Sequence, residues 1–245
     1  MAKLAYSTLA RFYDGIINDS DYNFWLDNLA EITLKHASVK SGVDCACGSG
    51  LFTRKLREKG LSVYGVDISE EMLEKAIQKN NELKLNIHYL KGDIRKLKCF
   101  SKVGFISCIN DGLNYISGSD LEKTFKSFYK NLLSNGVLIF DISSEYKFKN
   151  LLSNNVFCDN SEELSYIWFN ELSSDNKQIN MSLSFFEKQG EKYARYNEEQ
   201  TQYIHTDSEV VSALKTAGFN DIQVLNKNGE KPSETEERLL FIAKK

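Results

Sequence analysis

Proline is almost missing from this chain: Pro232 stands alone among 245 residues. No low-complexity tract or internal repeat is visible either, so long linkers and disordered tails are not expected. Neither sign of charge dominates. The 31 basic and 34 acidic residues leave a net charge of −3, which gives no basic field to gather a phosphate backbone, and nucleic acid is not an expected partner. Apolar runs fall well short of the ~20 residues of a membrane span. The opening MAKLAYSTLARFYDG lacks the charged-then-apolar layout of a signal peptide. These absences lead to the expectation of a soluble, cytoplasmic protein with no membrane partner. The five cysteines, odd in number and scattered, fit a reduced compartment better than a disulfide framework. Cys45 and Cys47 are read as small buried residues, not as a metal pair, and no metal is expected.

What is present is enough apolar content, 42%, for one sizeable core or for one core plus a smaller lobe. The first forty residues read as helical, with Leu9, Phe12, Tyr13 and Ile16 at helix spacing and a second stripe of Phe24, Trp25, Leu29 and Ile32. The period then changes. Strands are expected over 43–46, 61–66, 86–90, 103–109 and 137–142, with helices over 51–59, after a Ser69 cap, and over 120–133. Such alternation implies a parallel sheet with helices on both faces. After Ser144 the pattern breaks into three long strands, 164–171, 178–188 and 192–204, separated by polar hairpin turns. Thr206 and Glu209 then have capping-box spacing before a helix ended by Gly218, and strands follow over 219–225 and 238–243. The expected division is an α/β unit of residues 1–143 and 205–245, with an inserted antiparallel layer of residues 144–204.

Chemistry collects at the expected carboxyl ends of the strands, where open parallel sheets bind ligands. In VDCACGSGLF, Gly48 and Gly50 let the backbone approach a ligand, and the helix that follows offers free N–H groups to an anion. Asp67 ends the second strand about twenty residues on, where a carboxylate can accept both hydroxyls of a ribose. Asp93 follows the third strand, either as a loop acid in solvent or as a further group at the same edge.

This order of a glycine turn, a ribose-type acid and a further acid resembles the class I S-adenosylmethionine-dependent methyltransferases. The matching residues are Asp44 to Gly50, Val66-Asp67-Ile68 with Met72, Gly92-Asp93-Ile94, and the run CINDGLNY of residues 108–115. The resemblance implies a doubly wound, mostly parallel seven-stranded sheet with an antiparallel β lid. It places S-adenosylmethionine against the turn of Ala46, Cys47, Gly48 and Gly50, with S-adenosylhomocysteine as product. Asp67 would hold the ribose, Ile68 and Met72 the adenine faces, Asp93 and Ile94 the adenine edge, and Asn110 the end of strand four. Tyr6 and Tyr13 are similar to an N-terminal aromatic segment that folds over the cofactor, with Arg11 toward its carboxylate. Ala46 departs from the family by one methyl, where the first glycine usually stands. The dinucleotide fingerprint of nicotinamide enzymes fits less well, because Leu51-Phe52 carries no third glycine.

The acceptor is expected to be a small molecule, an amine slightly ahead of a hydroxyl, since an amine needs no strong base. In layout the chain resembles the amino-sugar N-methyltransferases, with Tyr115 where they carry a histidine. Tyr115 either orients a proton or packs on a helix start; His205 is either a base or an ordinary loop histidine. The aromatic insertion, Tyr166 to Tyr203, either walls an apolar substrate lid, packs as a core, or forms a homodimer face. A cofactor-binding protein without catalysis and an RNA or protein methyltransferase are the alternatives.

Overall fold

The computed structural model describes residues 9–13 and 20–245. Its elements are α1 (Ser20–His36), β1 (Ser41–Cys45), α2 (Leu51–Glu58), β2 (Ser62–Asp67), α3 (Glu70–Leu83), β3 (Tyr89–Lys91), β4 (Val103–Cys108), α4 (Gly118–Asn131) and β5 (Leu132–Ser143), followed by β6 (Val156–Asn160), β7 (Leu164–Leu172), β8 (Gln178–Gln189), β9 (Lys192–Tyr203), α5 (Asp207–Ala217), β10 (Asp221–Leu225) and β11 (Arg238–Lys244). A seven-stranded sheet runs in the order β10-β11-β5-β4-β1-β2-β3, and a four-stranded sheet in the order β6-β7-β8-β9. In the large sheet β1 to β5 pair in parallel, and β11 returns antiparallel between β5 and β10. Strand order reverses between β1 and β4, which opens a crevice at their carboxyl ends. No described helix is long and apolar enough to cross a membrane.

Two cores sandwich this sheet. On one face Phe125 and Phe128 of α4 and Leu214 of α5 bury against Phe140 and Phe241, which stack 4.8 Å apart across the β5–β11 ladder. On the other, Leu26 and Leu29 of α1 and Leu56 of α2 cover Phe105, Val137 and Ile139. Each fully buried side chain of this size contributes roughly 1.5–3 kcal/mol relative to exposure. The smaller sheet has its own core of Phe12, Phe148, Ile179, Met181 and Phe185. The expected caps are present: Ser69 accepts the Met72 N–H, Thr206 and Glu209 form a capping box, and Gly218 ends α5 at φ 113°.

Several expected elements are corrected. The third strand starts at Tyr89, not at residue 86, because Asn86 is left-handed at φ 54° and the Asn80 side chain takes the Ile87 N–H. Helix α4 stops at Asn131, and Asn135-Gly136 interrupts β5 instead of ending the helix; the register against β4 shifts there. The small sheet has four strands, not three. Its extra edge strand β6 is exposed along its whole length, so no burial alternation marked it. Phe24, placed on the buried stripe of α1, is 69% exposed. Ile16 lies outside the described residues.

Central strand β4 lies so close to the loop before β1 that a Cβ built on Gly104 would fall 2.1 Å from the Val39 carbonyl oxygen. A backbone atom cannot swing aside as a side chain can. Gly104→Ala is therefore expected to lower stability by about 1–3 kcal/mol, read as a lower urea midpoint; an unchanged midpoint would show that β4 and the loop before β1 can separate freely.

Candidate active site

A cavity of about 840 Å3 opens at the carboxyl ends of β1 to β4 and is closed on its far side by β9. Its floor is the turn after β1. Ala46, Gly48 and Gly50 all take left-handed backbone, at φ 52°, 54° and 78°. Ala46 accepts roughly 1 kcal/mol of strain at this position, and its methyl sits where only a glycine can face it: a Cβ on Gly112 would come within 2.9 Å of it. Strand β1 ends at Cys45 because Ala46 turns left-handed. Cys45 is buried as expected, whereas Cys47 is half-buried and lines the cavity, its thiol pushed up by burial and by Asp67.

Asp67 closes β2 and ties two loops together, accepting the Gly48 N–H at 2.8 Å and the Ser69 N–H at 2.9 Å. Burial raises its carboxyl, and these backbone bonds pull it back down. Ile68, Met72 and Ile94 line the same cavity. Asp93 also lines it, but its carboxylate is gripped by the Arg95 guanidinium at 2.8 to 3.0 Å, which holds it below the usual range. Asn110 follows β4 in left-handed backbone, at φ 66°, as does Asp111. The Asn110 N–H donates to Asp141 at 2.6 Å and its side-chain amide to the Tyr13 hydroxyl at 2.6 Å. Tyr6 lies outside the described residues.

Other expectations change. His205 does not line the cavity. It is 2% exposed, with Nε2 3.0 Å from the Ile116 carbonyl oxygen, and burial lowers its pKa. Its place is behind the loop after β4, where it fixes backbone. Arg11 pairs with Glu187 at 2.7 Å and with the Tyr196 hydroxyl, on the small sheet, and so turns away from the turn after β1. The lid wall is mostly polar, with Tyr203 its one aromatic member among the described lining residues. Phe185, Tyr166 and Trp168 pack into the small sheet's own core, while the cavity meets Glu198, Gln200 and Thr201. Tyr115 does line the cavity and donates its hydroxyl to Gln200 Oε1 at 2.7 Å.

Residues that sequence reasoning passed over complete the site. Arg238, at the start of β11, makes two bonds to Asp111, at 2.8 and 3.0 Å, and a further one to Asp141, with its guanidinium 4.9 Å over the Trp25 ring. Burial works to raise both acids; Arg238 still holds Asp111 below its usual value, whereas Asp141 is left at about 6. Tyr22 joins the lining from α1. On β9 the signal was a run of alternate polar residues, Glu198, Gln200 and Gln202, all buried on one face.

Asp44 lies in the floor, 1% exposed, accepting the hydroxyls of Thr53 at 2.6 Å and Ser107 at 2.7 Å. Burial raises its carboxyl to about 6, against the pull of those two bonds. With the folded value above the unfolded one, the folded state keeps the proton longer, so stability is full below the ordinary carboxylate range and falls as pH rises through about 6. Asp44→Asn should remove one proton's share of that fall and leave the shares of Asp67 and Asp141, which burial also raises. Urea denaturation between about pH 4 and 7 reads the slope; an unchanged slope would contradict the assignment.

The family model of a methyltransferase domain matches residues 43–136. A protein of Geobacillus sp. (strain WCH70) that carries a provisional methyltransferase name is 32% identical over 248 residues, spanning 99% of this chain and 100% of its own length. The crystal structure of a S-adenosylmethionine-dependent methyltransferase from Clostridium acetobutylicum ATCC 824 is similar at a TM-score of 0.87 and 33% identity, covering 98% of this chain and 99% of that one. The sugar N-methyltransferase KedS8 from Streptoalloteichus sp. ATCC 53650 shares the fold, with a TM-score of 0.78, 17% identity, and coverage of 100% and 95%.

Proposed function

Because the chain belongs to the S-adenosylmethionine-dependent methyltransferases, we propose that it methylates a small-molecule amine held between the sheet edge and a lid of residues 144–204. The observation that carries this reading is one cavity with strand-end acids on one wall and β9 on the other. When bound, the cofactor supplies a methyl group already activated on a sulfonium. The protein's task is then to orient and to exclude water, which supplies on the order of 7–11 kcal/mol at best.

The chain's own groups suit that cofactor. Left-handed Gly48 and Gly50 bring backbone, not side chains, to its amino-acid end. The N-cap of α2, Gly50, has no side chain to close the helix, so the first N–H groups can meet a carboxylate. Asp67 is held in place by backbone donors and keeps acceptor capacity for ribose hydroxyls. Ile68 and Met72 would flank the adenine, with Ile94 at its edge. Asp93 reaches that edge while bound to Arg95, and Asn110 and Tyr13 cover the opposite end.

Nitrogen is favoured over oxygen as acceptor because among the described residues no imidazole lines the cavity, and the Tyr115 hydroxyl gives its proton to Gln200. A hydroxyl acceptor more often requires a positioned base, whereas an amine has only to arrive neutral. The amino-group acceptor implied by the name of the Streptoalloteichus sugar N-methyltransferase is in keeping with this reading. We read residues 1–143 with 205–245 as the cofactor unit.

Consumption of S-adenosylmethionine in the presence of small amines tests the activity. Asp67→Ala should weaken cofactor binding about tenfold or more, the loss of a charge-assisted bond worth roughly 1.5–3 kcal/mol. Calorimetric titration measures it, and an unchanged affinity would remove Asp67 from the ribose.

A further inference from the structure

The inward face of β9 is polar where a lid would gain most from being apolar. Glu198 and Gln200 are 4% and 6% exposed and both line the cavity. Burying such groups is costly unless their bonds are fixed, and here they are. The Tyr115 hydroxyl donates to Gln200 Oε1 at 2.7 Å, which turns the Gln200 amide nitrogen to donate to Glu198 Oε1 at 2.5 Å. The Leu9 N–H donates to the other oxygen, Oε2, at 2.7 Å. The carboxylate is thus oriented from both ends, and it belongs to the wall that faces the strand ends. Around it the cavity is acidic: Asp44, Asp67, Asp93 and Glu199 also line it. Among the described lining residues the one Lys or Arg is Arg95, which is bound to Asp93 and Asp120.

We propose that Glu198 is the residue that selects the methyl acceptor, and that the acceptor is an aliphatic amine, cationic in water, rather than an alcohol, a carboxylate or a phosphate. This rests on the methyl-transfer reading above and names its substrate class. An acidic cavity repels anionic acceptors and concentrates a cation. The acceptor sheds one proton to water to become nucleophilic. Its nitrogen lone pair then forms the N–C bond as the C–S bond breaks, and the bonding pair stays on sulfur. Positive charge therefore leaves the sulfur and appears on the nitrogen, which later releases its extra proton to water. A fixed carboxylate on the acceptor side stabilises that charge where it develops. An alcohol would place the charge on a far more acidic oxonium, which needs a base as well.

The test uses the whole chain loaded with S-adenosylhomocysteine, titrated calorimetrically with primary and secondary alicyclic amines, each paired with the corresponding alcohol. The wild type should bind at least one amine about tenfold or more tightly than its alcohol. Glu198→Gln, which keeps an oxygen for the Leu9 N–H, should abolish that preference while leaving S-adenosylhomocysteine affinity within about twofold. Glu198→Asp keeps the charge and should retain part of the preference, so a folding defect in one variant does not decide the matter. Alcohols bound as well as amines, or a preference that survives Glu198→Gln, would overturn the proposal. A wild type that fails to take up S-adenosylhomocysteine at all would instead strike the cofactor reading beneath it.

Discussion

Carboxylates buried side by side at one sheet edge must be answered, and how they are answered shapes the site. Asp44, Asp67 and Asp141 are all under a tenth exposed, at the carboxyl ends of β1, β2 and β5. An isolated buried carboxylate is far too costly to keep. Each is met differently: Asp44 by two hydroxyls, Asp67 by two backbone N–H groups, Asp141 by Arg238 and the Asn110 N–H. The answers do more than neutralise. Asp67 fastens the turn after β1 to the start of α3, and Arg238 holds left-handed Asp111 directly and its left-handed neighbour Asn110 through Asp141, which takes the Asn110 N–H. The loops that face the ligand are fixed by the same bonds that make the buried acids tolerable.

The compensation is partial, and that has a functional side. Desolvation still raises Asp44, Asp67 and Asp141, so the edge favours an arriving cation. The family's cofactor carries such charge on its sulfonium and its ammonium. Across the cavity β9 adds Glu198, held by the Leu9 N–H and by Gln200, which Tyr115 in turn orients. In the proposed reaction donor and acceptor meet between two acidic walls, and the charge that would pass from sulfur to an amine nitrogen stays within reach of carboxylates throughout.

What was legible in the sequence follows from what is local. The turn after β1, Asp67 at the end of β2 and the Ser69 and Thr206 caps each depend on neighbours a few residues away, and a parallel sheet carries its strand ends to one edge whatever the rest does. Arg238 was hidden because its partners Asp141 and Asp111 lie 97 and 127 residues away. His205 looked available because sequence says nothing of the Ile116 carbonyl that it meets. The lid misled for a subtler reason. In EKYARYNEEQTQYIH the aromatic residues fall on both parities, Tyr193 and Tyr203 odd and Tyr196 even, so the pattern does not name the inward face. The fold puts the even positions inward, and toward the cavity these are Glu198 and Gln200.

A crystal structure of the protein with S-adenosylmethionine would show directly where the cofactor sits. The ribose hydroxyls should lie on Asp67, the amino-acid end against the turn of Ala46 to Gly50, and the methyl group should face the wall of Tyr115, Gln200 and Glu198. A cofactor seated away from Asp67, or one whose methyl points away from β9, would contradict this placement.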